Sequence, residues 1–116
     1  MAIPPETHLP LHPLEFEILL TLKRGSSHAY AVVRDIAERQ PEWNRVQPTN
    51  MYRRVWRLEK AGLLEAIEAP ADEADARRNY FAITPLGEQV AAAEAERLRG
   101  LLRTALDAGV LAEETP

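Results

Sequence analysis

The chain of 116 residues has no cysteine, so disulfides and thiolate metal sites are excluded and nothing argues for secretion. No apolar run approaches the roughly 20 residues of a membrane span. The opening MAIPPETHLPLHP lacks the basic and apolar regions of a signal peptide, so a cytoplasmic protein is expected. The five glycines are scattered singly and leave no phosphate-cradling loop. Ser26 and Ser27 are the only serines, and neither sits on the glycine-flanked elbow that a nucleophilic serine needs. His8 and His12 are four apart but lie among Pro10 and Pro13, off any helix, and His28 has no evident partner, so no metal site is expected. Taken together, no catalytic residue, no cofactor and no enzymatic activity are expected. A net positive charge is missing too. At −4, with a pI near 5.4, the chain is no histone-like coat, and any nucleic-acid binding must come from one patch.

Such a patch exists. Residues 45 to 60 hold Arg45, Arg53, Arg54, Arg57 and Lys60 against the single acid Glu59, a surplus of four positive charges inside an acidic protein. At about 100° per residue, Met51, Val55, Leu58 and Gly62 share one narrow stripe of a helix opening at Pro48, and Arg53, Arg57 and Lys60 gather on the other side. The apolar stripe docks the helix; the basic face is free to meet phosphate, or is a solvated face.

A content of 46% hydrophobic and 28% charged residues suits one compact domain. Residues 1–12, with Pro4, Pro5 and Pro10, are expected to form a flexible arm. Pro13 suits the first position of a helix in which Leu14, Phe16, Ile18, Leu19, Leu20 and Leu22 leave little polar surface. Gly25 stops it, and Ser27 is the expected N-cap of a second helix with Ala29, Tyr30, Val33, Ile36 and Ala37 inward and Arg34, Asp35, Glu38 and Arg39 in water. Glu42 to Gln47 link it to the basic helix.

After Gly62 the period changes. Leu63 to Glu68 and Asn79 to Ile83 favour two strands, joined through the polar, small-residue segment Ala69 to Ala76. Thr84 and Pro85 then start a last helix on which Val90, Ala91, Leu98, Leu101, Leu102 and Ala105 share a side interrupted by Glu94. The expected fold is mainly α with a two-stranded β wing, a winged helix-turn-helix over 13–84 followed by a C-terminal dimerisation helix over 85–110 and a frayed tail over 111–116. A homodimer through Val90, Leu98, Leu101, Leu102 and Ala105 is expected, because a reader of this kind needs paired half-sites; the alternative is that this side packs against the chain's own first helix.

An ordered set of residues resembles a known family. Leu14 to Leu22, Tyr30, then Pro48 with Tyr52, Val55, Leu58, Glu59, Gly62 and Leu63, and finally Arg78, Tyr80, Thr84 and Gly87 resemble the pattern of PadR-type winged-helix transcriptional regulators. The match runs from about residue 11 to 106, and the single, short C-terminal helix is similar to the smaller subgroup. The resemblance implies a cytoplasmic homodimer that binds an inverted-repeat operator on double-stranded DNA and represses transcription. It also implies that a small hydrophobic effector can sit between subunits, stacked on a tryptophan of the last helix. Trp43 and Trp56, the only tryptophans, lie elsewhere, so that pore is not carried over. Ala29 replaces the usual glycine before the second-helix tyrosine, and Arg53 stands where a proline is frequent.

On this reading Thr49, Asn50, Arg53 and Arg57 contact bases or the groove, and Tyr52, Arg54, Lys60, Arg77 and Arg78 contact phosphates. Asp72, Glu73 and Asp75 make the wing tip acidic, which repels phosphate and leaves Arg77 and Arg78 to act from the returning strand. Trp56, on the flank of the basic face, either packs under the wing or contacts a sugar or methyl group of DNA; packing is the expected role, since a large aromatic is more often buried than a reader. The competing reading is a winged-helix protein-interaction module whose basic face grips an acidic partner, with Trp56 as anchor.

Overall fold

The computed structural model describes residues 4–39, 48–69 and 79–113. Prolines mark the helix starts the sequence predicts: α1 spans Pro13–Arg24, α2 Ala29–Arg39, α3 Pro48–Lys60 and α4 Pro85–Asp107, and all but α2 open on proline. His12 caps α1, its Nδ1 accepting from the Leu14 N–H at 3.1 Å. Burial, and then the nearby Arg54 charge, hold its pKa below the usual value, which favours the neutral ring that can accept.

The sheet is larger than the sequence suggests. Besides β2 (Leu64–Ile67) and β3 (Tyr80–Ile83), a two-residue strand β1 (Ser27–His28) precedes α2, and the three run antiparallel in the order β1-β3-β2. Ala66 on one side and Ser27 on the other both face Phe81. Ser27, expected to cap α2, is thus spent in the ladder. The cap falls to His28, whose Nδ1 accepts from the Ala31 N–H at 3.1 Å.

Ile18, Leu19 and Leu22 of α1 sit at the centre of the core, met by Val32 and Ile36 of α2, by Met51, Val55 and Leu58 of α3, and by Leu63, Leu64, Phe81 and Val90. The inward face of α2 is rotated from the expected one: Val32 is buried and Tyr30 is exposed, with the Arg34 guanidinium 5.9 Å from its ring centre. Asp35 and Arg39, expected in water, are half-buried. Arg39 donates to Glu17 at 2.6 Å and to the Thr21 hydroxyl at 2.5 Å, and lies 3.3 Å from Asp35, lacing α2 to α1.

Residues 4–12, expected to form a flexible arm, lie against α4: Pro5–His8 make a 3₁₀ turn beside that helix, and Leu11 enters the core. Glu94, read from sequence as a break in an apolar stripe, is buried where this segment crosses α4. Its oxygens accept from Arg97 at 2.7 and 2.8 Å and from the Leu11 backbone. The hydrogen bonds from Arg97, foremost, hold its carboxyl below the ordinary range against the opposing effect of burial. Val90, expected at a dimer contact, is instead wholly buried in the chain's own core. Farther along, α4 leaves that core: Leu98 and Ala105 are half-buried, and Leu101 and Leu102 are 56% and 49% exposed. Among the described residues no helix is long and apolar enough to cross a membrane.

Candidate nucleic-acid interface

Helix α3 is held by the stripe its sequence predicts, with Met51, Val55 and Leu58 buried against α1 and α2. It ends in a Schellman turn. Gly62 takes φ +83°, a left-handed conformation that favours glycine, while its N–H reaches the Glu59 carbonyl at 3.0 Å and the Leu63 N–H reaches the Leu58 carbonyl at 2.9 Å. The helix therefore stops cleanly before β2, which leads into the wing.

With one face fixed, the other is presented to solvent. Asn50, Arg53, Arg57 and Lys60 are all exposed, and spacings of three, four and three align them in one row along the helix. Asn50, Arg53, Arg54 and Arg57 line a shallow depression of about 220 Å³. Tyr52 is half-buried, its ring packed against the core. The side chain of Thr49, together with Arg77 and Arg78, the acidic residues Asp72, Glu73 and Asp75, and Trp43, lies outside the described residues.

Two features depart from the sequence reading. Trp56, expected beneath the wing, is 61% exposed among the described residues and, with His28, Tyr30, Tyr52 and Phe81, lines a hollow of about 300 Å³. The second departure is electrostatic. Glu15, on α1 and fully buried, accepts from Arg57 Nε at 2.7 Å and from Nη2 at 2.5 Å, and lies 3.8 Å from the half-buried Arg54. Counting charges along residues 45 to 60 misses this acid, which cancels part of the local surplus from 42 positions away in the chain. The pairing keeps Arg57 firmly protonated, through its hydrogen bonds to the carboxylate and then the charge itself. A signal was present: a carboxylate among the apolar residues of a buried helix needs a cation, because desolvating it alone is costly. Arg53 and Lys60, by contrast, enter no ion pair among the described residues.

A helix docked on its apolar side, showing a row of amide and cationic side chains and followed by a β hairpin, has the form that enters a major groove. The comparisons with known proteins agree with that geometry. The sequence model of the Transcriptional regulator PadR-like family matches residues 18–93, more than half of the chain. No curated protein matches. Among solved structures, a PadR family transcription regulator from Clostridium difficile superposes with a TM-score of 0.73 at 16% identity, covering 86% of this chain and 100% of that one. A PadR-like transcriptional regulator from Bacillus cereus gives 0.69 at 19% identity, covering 86% and 93%. The transcriptional regulator BldR from Sulfolobus solfataricus gives 0.66 at 27% identity, covering 90% of this chain and 67% of that one. At these identities the first two likenesses speak for the winged-helix fold.

Proposed function

The chain belongs to the PadR-like family of transcriptional regulators, and from that premise we propose that it is a cytoplasmic repressor that binds an inverted-repeat operator as a homodimer. The observation that carries this reading is the exposed row Asn50, Arg53, Arg57 and Lys60 on a helix whose opposite side is locked into the core. Residues 13–84 form the DNA-binding unit and residues 85–110 the dimerisation helix. Asn50, Arg53 and Arg57, with Thr49 at the start of α3, reach base edges or the groove floor. Lys60 and Tyr52, with Arg77 and Arg78 from the wing, hold phosphates. Arg54, half-buried beside Glu15, has less to offer a phosphate than Arg53 or Lys60. The dimer forms through Leu98, Leu101, Leu102 and Ala105.

Arg53→Ala tests the assignment of the row. Arg53 is exposed and makes no ion pair among the described residues, so its loss costs little stability and removes one groove contact. In a mobility-shift titration, operator affinity falls by about 1–3 kcal/mol, and sequence preference relaxes at the base pair it reads. Unchanged affinity and preference would remove Arg53 from the interface and with it the central member of the row.

The exposure of Trp56 favours a second reading, in which the same face grips an acidic protein and the indole anchors it. Both readings predict weaker binding at high salt, so salt alone does not separate them. Preference for one duplex sequence over another does, since a grip on an acidic protein confers none.

A further inference from the structure

The Glu15–Arg57 pair does not behave like a surface salt bridge. Glu15 is 0% exposed and both of its oxygens are taken by Arg57, whose own side chain is 68% exposed. Two of the five guanidinium N–H groups are therefore directed inward. Three remain, both hydrogens of Nη1 and one of Nη2, along the guanidinium edge that Glu15 leaves unused, and Arg57 lines the same depression as Asn50 and Arg53. That edge carries parallel donors of the kind that meet two acceptors at once, as on the Hoogsteen side of guanine. Releasing the guanidinium to reach elsewhere would leave a buried carboxylate with only the more distant Arg54, so the clamp persists when DNA arrives.

Resting on the operator-binding reading above, we propose that Glu15 is a positioning residue for sequence readout. It fixes the orientation of Arg57 and cancels its charge, so that Arg57 meets DNA as a rigid, nearly neutral donor fork. On this account the salt-dependent attraction comes from Arg53 and Lys60, and Arg57 supplies discrimination. A free arginine spends rotamer freedom on binding and is satisfied by any phosphate within reach. A clamped one offers its donors in a single direction and rewards only a base pair whose acceptors lie there. The acid that weakens the basic patch thus sharpens its choice of sequence.

Two substitutions separate the two roles. Glu15→Gln frees the charge and loosens the clamp, so log K against log salt steepens by about 0.9 per protomer. At the same time the affinity ratio of operator to random duplex falls at least about fivefold, the lower end of what one bidentate base contact discriminates. Glu15→Asp keeps the charge but shortens the reach, so the ratio falls and the salt slope stays at the wild-type value. In an Arg57→Lys background, where the fork is already gone, Glu15→Gln produces no further loss of ratio; a merely structural role for Glu15 would still lower it. Should the glutamine variant fail a thermal-melt check of folding, the aspartate variant carries the test. Wild-type protein that shows no preference for any duplex overturns the operator reading and this inference together. Wild-type preference with a ratio unchanged in both Glu15 variants overturns this inference alone.

Discussion

Gly87→Ala is expected to lower stability by about 3 kcal/mol, the upper part of the usual range for forcing a methyl group into a filled site. For a chain of this size that corresponds to a melting temperature lower by about 10 °C or more. Gly87 needs no unusual backbone conformation; its requirement is space. A Cβ there would fall well inside the contact distance of the Leu63 carbonyl oxygen and 2.8 Å from Ile83 Cγ1. The carbonyl cannot retreat freely, because it accepts from the Thr84 N–H at 3.1 Å. Thr84 in turn donates its hydroxyl proton to the Gly62 carbonyl at 2.6 Å, and its oxygen accepts from the Gly87 N–H at 3.0 Å. These contacts stitch the end of α3 to the start of α4, so the methyl group would pry α3 away from the helix proposed to join the two protomers. Differential scanning calorimetry decides the matter. A melting temperature within about 2 °C of wild type would mean the junction is looser than its contacts indicate.

The double substitution Leu101→Glu, Leu102→Glu is expected to turn the proposed dimer into a monomer and weaken operator binding by about 100-fold or more. Placing unpaired carboxylates in an apolar contact costs several kcal/mol, and each 1.4 kcal/mol is a factor of ten. At 1.5 Å per residue the 23 residues of α4 run roughly 35 Å, more than the chain's own core covers. The near half buries Val90 and the Glu94 carboxylate, while the far half carries Leu101 and Leu102 in solvent and leads to exposed Val110 and Leu111. Large apolar side chains gathered on one protruding segment mark a contact surface, and a second copy presents the same segment in return. Both leucines lie far along α4 from the packed half, so the fold of the protomer is expected to survive. Sedimentation equilibrium and a mobility-shift titration on the same sample read the two consequences. An unchanged mass would move the dimer contact to another surface.

Much of this architecture is legible in local pattern. The prolines at the helix starts, the Met51, Val55 and Leu58 stripe, the stop at Gly62 and the hairpin after it each follow from residues within a few positions of one another. What escaped depends on distant neighbours. Strand β1 is two residues long, too short for alternation to register, and exists because Phe81 and Tyr80 supply a ladder edge. On α2 the pattern admits two nearly equivalent inward faces, and tertiary packing chose Val32 over Tyr30. The buried acids are the sharpest case. Glu94 pairs with Arg97 on its own helix but is buried beneath the segment that brings Leu11 from the other end of the chain, and Glu15 has its partner 42 residues along the chain, so neither burial shows in a short window of sequence. Of the residues expected at the DNA face, Asn50, Arg53, Arg57 and Lys60 share one exposed row, and Tyr52 and Arg54 are partly withdrawn into the protein. Trp56 stands exposed beside a hollow that Val55 and Phe81, both members of the core, also line.

The exposed row on α3, carried twice in the proposed dimer, is expected to read one DNA sequence in preference to others. The direct measurement is to select bound fragments from genomic DNA with the purified protein and titrate the best fragment against a scrambled duplex of equal length at physiological salt. An inverted repeat with half-sites about one helical turn apart is expected, bound at least about a thousandfold more tightly than the scrambled duplex. Equal affinity for the two would contradict it.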